Sequence, residues 1–78
     1  MKKKQSLYFI CLDIGGTNIR GTWVSSDGEC GELVLIKRPK ELEGTKEAIL
    51  DLIYKIKSLC PYEIKGIGVA SAGPLDFE

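Results

Sequence analysis

The feature that most limits what this chain can fold into is Asp13-Ile14-Gly15-Gly16-Thr17-Asn18, set between two strand-like runs, Leu7 to Leu12 and Ile19 to Val24. Two adjacent glycines at the junction let the chain reverse, so the runs pair as a hairpin instead of forming one long strand. The hairpin tip carries a carboxylate, a hydroxyl and an amide. Gly15 and Gly16 can take positive φ and have no Cβ to hold a ligand away from the main chain. Successive exposed N–H groups then form a concave nest of partial positive charge, which suits a phosphate. Thr17 adds a hydroxyl donor. Asp13, at the end of the first run, is placed to attract Mg²⁺, an ion that binds through one or two carboxylates, waters and the phosphate oxygens. On these six residues alone, a Gly-Gly turn whose polar residues merely end two strands is the competing reading.

The rest of the chain extends this hairpin into a sheet. Leu7 to Leu12 is continuously apolar, the pattern of a central strand covered on both faces. Ile19 to Val24 alternates, with Ile19, Gly21 and Trp23 on one face and Arg20, Thr22 and Val24 on the other. Arg20 then points to solvent or pairs with a carboxylate. Ser25-Ser26-Asp27-Gly28 is a turn signal, and Gly31 to Arg38 resumes a strand in which Leu33 and Leu35 oppose Val34 and Ile36. Three strands joined by short turns make an antiparallel meander.

Pro39 stops the third strand, and Thr45 is the expected N-cap of a helix. Ile49, Leu52, Ile53, Ile56 and Leu59 recur at three- and four-residue spacing, which lays one apolar stripe along about four helical turns. Pro61 marks the end. Ile64 to Ala70 follows as a strand, and a strand reached through a helical crossover is most simply parallel to an earlier one. The expected order is β-β-β-α-β, an α/β fold with a mixed sheet.

Composition removes several classes of function. A chain of 78 residues is one small domain, and at this size only about 60% of the unfolded surface is buried on folding. Eleven basic and eleven acidic side chains cancel, so no long-range field favours nucleic acid or an anionic membrane. Lys2-Lys3-Lys4 before an apolar run superficially suggests a signal peptide, but the run meets Asp13 and a glycine turn instead of a cleavage site. No stretch approaches the ~18 apolar residues of a spanning helix. A cytoplasmic protein is expected. Cys11, Cys30 and Cys60 have no CxxC spacing and the chain has no histidine, so neither a zinc site nor a disulfide frame is expected. Cys11 and Cys60 read instead as small hydrophobes. A Walker A loop is absent, and the glycine that follows Gly66-x-Gly68 is at the wrong spacing for a dinucleotide fingerprint, with no helix start after it.

Asp13-Ile14-Gly15-Gly16-Thr17-Asn18-Ile19-Arg20-Gly21, followed down the chain by Gly66-Ile67-Gly68-Val69-Ala70-Ser71-Ala72-Gly73-Pro74-Leu75-Asp76, resembles the start of a ROK-family sugar kinase. The β-β-β-α-β order is likewise similar to the ribonuclease-H-like N-terminal lobe of the actin, Hsp70 and hexokinase superfamily. The resemblance implies ATP and Mg²⁺ as cofactors and a hexose or amino sugar as substrate. It implies that Asp13 is the magnesium-associated aspartate, that Gly15, Gly16, Thr17 and Asn18 form the first phosphate loop, and that Gly73 borders the sugar. It also implies that the catalytic base, the second phosphate loop and the second lobe are not among these residues. The chain is therefore expected to be an incomplete N-terminal lobe, inactive alone, that self-associates or binds a missing second half. Two other classes share the resemblance: sugar-sensing ROK transcriptional regulators, whose DNA-binding module would not fit in the short stretch before Asp13, and a non-catalytic interaction domain that kept the fold.

Overall fold

In the computed structural model, which describes residues 6–71, the elements run β1 (Tyr8–Ile14), β2 (Asn18–Ser25), β3 (Val34–Lys37), α1 (Leu42–Leu59) and β4 (Ile64–Ser71). The expected β-β-β-α-β order is the observed one. The four strands form one sheet in the order β3-β2-β1-β4. β1 pairs antiparallel with β2, with Asp13 opposite Arg20 and Ile14 opposite Ile19, and β2 pairs antiparallel with β3. β4 lies parallel to β1, with Asp13 opposite Ala70. The sheet is thus mixed, as the crossover argument requires.

Period-two alternation decides which residues meet the helix. Ile10 and Leu12 on β1, and Ile19 on β2, are buried and form one cluster with Leu52 and Ile56 of α1. Full burial of one such side chain is worth about 2 kcal/mol, so this five-residue cluster is the main source of stability in a small fold. Gly21 lies between these layers. A methyl group there would sit 2.5 Å from Leu12 Cδ2 and 2.9 Å from Ile56 Cδ1. Its missing side chain is what lets α1 approach β2.

β1 is central in the sheet, yet only one of its faces is covered. Cys11 is exposed on the face opposite α1, contrary to the two-sided burial that the continuous apolar run suggested. A single helix cannot cover both faces of a sheet. Cys60, by contrast, is buried.

β3 is shorter than expected, and its covered face is that of Val34 and Ile36, while Leu33 and Leu35 are exposed. Before β3, the turn is organised by the buried hydroxyl of Ser25, which accepts hydrogen bonds from the amides of Asp27 and Glu29. Gly28 there has φ of 97°, the left-handed region that favours glycine.

The helix begins at Leu42, before Thr45. Its N-cap is Glu41, which makes no side-chain capping bond, and the Thr45 amide donates to the Glu41 carbonyl to close the first turn. The Thr45 hydroxyl, within reach of the Pro39 and Glu41 carbonyls, acts as a donor, so it cannot be the accepting cap that its sequence position suggested. At the other end the Cys60 amide donates to Ile56, and Pro61 follows. Leu59, placed on the apolar stripe by spacing, is half exposed. No helix among the described residues is long and apolar enough to cross a membrane.

Candidate phosphate-binding turn

The connection between β1 and β2 lies at the carboxyl ends of the parallel strands β1 and β4, where open α/β sheets place their ligands. Asp13 and Arg20 face each other across the last rungs of the hairpin, and Gly15, Gly16 and Thr17 form its tip. A cleft of about 210 Å³ is lined by Asp13, the four residues Gly15 to Asn18, Arg20 and Leu35. All the expected phosphate and metal residues that fall within the described residues therefore border one space. Gly73 lies outside the described residues.

Backbone hydrogen bonds show which groups of the turn are free to meet a ligand. The Gly15 amide donates to the Asn18 carbonyl at 2.8 Å and is occupied in closing the turn. The amides of Gly16 and Thr17 donate to no group among the described residues. The Asn18 side-chain amide donates to the Thr17 hydroxyl at 3.3 Å, which leaves the hydroxyl proton available. Two amides and one hydroxyl are thus presented at an exposed tip.

The reason for glycine here differs from the expected one. Neither Gly15 nor Gly16 has positive φ; among the described residues only Gly28 does. The turn follows a path that needs no left-handed residue, closed by the Gly15–Asn18 bond and backed by Arg38. At Gly15 a methyl group would stand 3.1 Å from the Asn18 carbonyl, a tight fit. At Gly16 it would meet no atom within 4 Å. The fold does not need glycine at Gly16, and the open space is what a ligand approaching the amides requires.

Asp13 accepts a hydrogen bond from Arg20 Nε at 2.9 Å through Oδ2. Of the two roles open to Arg20 on an alternating strand, pairing with a carboxylate is the one adopted. The partner is the very carboxylate expected to attract Mg²⁺. Both side chains are partly exposed, so the pair adds little to stability and can exchange for another partner at small cost. Among the described residues there is no group of three or more His, Cys, Asp or Glu that could hold a metal by itself. The donor set fits an ion that a bound phosphate helps to hold, and does not fit a metal caged by protein alone.

Arg38 was not singled out from the sequence. It follows β3, and its Nη1 donates to the Gly15 carbonyl at 3.0 Å while its backbone amide donates to the Thr17 carbonyl at 2.8 Å. The sequence signal for it is weak: a basic pair, Lys37-Arg38, immediately before Pro39, at the strand end that antiparallel pairing brings to the hairpin tip.

The four-stranded mixed sheet, its one helix and the turn at the end of β1 define a ribonuclease-H-like unit of the actin-like ATPase type. Among solved structures, the chain is similar to a ROK family glucokinase from Streptomyces griseus, determined in complex with glucose and AMPPNP. The TM-score is 0.74 and the sequence identity 26%, over 85% of this chain and 20% of that one. The resemblance to the N-terminal segment of a ROK-like sugar kinase, read from the two glycine-containing motifs, is borne out by this likeness. The chain spans a small part of the glucokinase it matches. No protein-family model matches the chain, and no curated protein does.

Proposed function

We propose that this chain forms the ATP-phosphate-binding side of a sugar kinase, with Gly15 to Asn18 as the phosphate turn and Asp13 as the residue that attracts Mg²⁺. The observation that carries this reading is the pair of undonated amides, Gly16 and Thr17, in an open turn beside a carboxylate. The likeness to a glucokinase that holds AMPPNP and glucose supports a nucleoside triphosphate and a sugar as the ligands, which we read as a hexose or amino sugar. Phosphoryl transfer depends on positioning and charge neutralisation more than on covalent participation by the protein, and exposed amides offer both. Bound Mg²⁺ would supply the remaining neutralisation. Gly16 and Thr17 would donate to phosphate oxygens, the Thr17 hydroxyl would add a third donor, and Arg20 would share Asp13 with the incoming cation.

In this reading residues 1–78 are the N-terminal part of one actin-like domain in a cytoplasmic enzyme, with Gly73 bordering the sugar. They bind nucleotide but do not turn over sugar unaided, because they supply one wall of a cleft and no catalytic base. A second lobe, or a second copy of the chain, would complete the wall.

Amide chemical shifts of the ¹⁵N-labelled chain, followed while Mg·AMPPNP is added, test the binding step. Gly16 and Thr17 should move most, with Asp13 and Arg20 next, whereas AMP, which has no β- or γ-phosphate, should leave the turn unmoved. An unchanged turn at millimolar Mg·AMPPNP would show that the hairpin tip is only a turn.

A further inference from the structure

Two clefts flank the turn. One is the space shared by Asp13 and Arg20; the other, about 350 Å³, is lined by Gly16, Thr17, Lys37, Arg38, Pro39 and Lys40. Arg38 lines only the second. From that side it reaches back to the turn, donating from Nη1 to the Gly15 carbonyl and from its backbone amide to the Thr17 carbonyl. Resting on the phosphate-turn reading above, we propose that Arg38 is a positioning residue: it fixes the direction of the Gly16 amide and keeps an unneutralised positive charge behind the turn.

The direction follows from peptide geometry. There is no cis peptide among the described residues, and in a planar trans unit the C=O and the N–H point in opposite directions. Holding the Gly15 carbonyl toward Arg38 therefore aims the Gly16 N–H away from Arg38, toward the cleft that Arg38 does not line. Two peptide units further on the Thr17 carbonyl is held by the Arg38 backbone amide, which sets the orientation of the Thr17–Asn18 unit, so the Gly16–Thr17 unit lies between two held ones. An unheld Gly-Gly unit can turn over with little steric resistance, and would then present a carbonyl oxygen to the anion in place of an N–H.

The charge follows from the partners. Arg38 is half-buried, its guanidinium bonds to a neutral carbonyl, and no carboxylate among the described residues lies within 4.0 Å of it. None of the acidic residues among those described pairs with this cation. An unpaired positive charge at the back of a turn whose amides point forward raises the local potential on the side an anion would occupy. A lysine would carry the charge without the planar fork that holds a carbonyl in a fixed direction.

The test compares Arg38→Ala, Arg38→Gln and Arg38→Lys with Lys40→Ala, an exposed neighbour in the same cleft, in two arms. In the ligand-free arm, ¹⁵N relaxation should show the Gly16 and Thr17 amides becoming mobile in Arg38→Ala, partly restrained in Arg38→Gln, and unchanged in Lys40→Ala. In the ligand arm, the Kd for Mg·AMPPNP should rise about tenfold in Arg38→Ala, the effect of losing one hydrogen bond from a charged group. Arg38→Lys should recover part of the affinity by restoring charge alone. Thermal melts of all four should coincide, since Arg38 takes no part in the core. An unaltered turn in ligand-free Arg38→Ala would overturn the positioning role whether or not nucleotide binds. So would a loosened turn with unchanged nucleotide affinity. A wild-type chain that fails to bind Mg·AMPPNP would instead remove the phosphate reading, while the ligand-free arm still decides whether Arg38 holds the turn.

Discussion

Glycines that look alike in sequence do different work in this fold. Gly21 sits under α1, where an added methyl would be 2.5 Å from Leu12 Cδ2, 2.9 Å from Ile56 Cδ1 and 2.9 Å from the Cys11 carbonyl. One of those neighbours is backbone, so side-chain movement cannot relieve the overlap. Gly21→Ala should therefore cost about 1–3 kcal/mol, as overpacked cores do, measurable as a lower urea midpoint. Gly16→Ala should do the reverse. With nothing within 4 Å and no left-handed φ, it should change the urea midpoint by no more than about 0.5 kcal/mol in stability while weakening Mg·AMPPNP binding. Equal destabilisation by the two substitutions would contradict the packing described here. Periodicity gave the face on which Gly21 lies, because alternation along β2 needs only neighbouring residues. It could not show that Gly21 is the contact point of the helix, or that Arg38 touches Gly15, since each depends on chain segments far apart in sequence.

At the level of elements, the helix was legible because its apolar spacing is strong, and its ends were not. Ile49, Leu52, Ile53 and Ile56 lie on or beside the core as the spacing requires, but Leu59, one step further along the same stripe, is half exposed while Cys60 next to it is buried. Sequence spacing defines a helix face and says nothing about how far the opposing surface extends. The same limit applies to β3: Val34 and Ile36 are as apolar as Leu33 and Leu35, so pattern alone cannot choose which pair faces α1. Thr45 misled for a related reason. Its hydroxyl suits a cap, but the preceding residues Glu41 to Gly44 already supply the first turn. This reading of α1 predicts unequal costs along one stripe. Ile56→Ala, which empties a site only 1% exposed, should lose about 2–5 kcal/mol. Leu59→Ala should lose well under half as much, and chemical denaturation of the two variants side by side would reverse the assignment of the core boundary if their costs matched.

On the scale of the molecule, one helix serves a four-stranded sheet and leaves apolar surface on both sides. α1 packs over β1, β2 and β3, so on the helix side Ile67 and Val69 of β4 are left 50% and 61% exposed, Ile67 beside Leu50 and Tyr54 of the helix. A cleft of about 340 Å³ lies between α1 and β4, lined by Ile10, Leu50, Ile53, Tyr54, Ile64 and Ile67 among others. On the opposite face Leu33 and Leu35 are exposed, and a further cleft of about 480 Å³, separate from the one at the turn, is lined by Cys11, Asp13, Leu33 and Ala70 among others. β4 is moreover an edge, paired only with β1 among the described residues. Unpaired edge groups bordered by apolar side chains favour addition of another strand, and here the flanking charge on β4 is confined to Lys65, paired with Glu63. The chain as it stands should therefore associate as its concentration rises. Sedimentation velocity under reducing conditions, which keep the exposed Cys11 and Cys30 from cross-linking, should show the apparent mass growing with concentration. The double substitution Ile67→Lys and Val69→Lys places charge on the exposed strip without entering the Ile10, Leu12, Ile19, Leu52 and Ile56 cluster, so it should return the protein to monomer with its melting temperature little changed. Leu33→Lys, on the other face, separates the two surfaces: if it alone restores the monomer, association runs through the open face and not through β4. A wild-type chain that stays monomeric at every concentration tested would show that these surfaces, though apolar and uncovered, are too small or too irregular to pair.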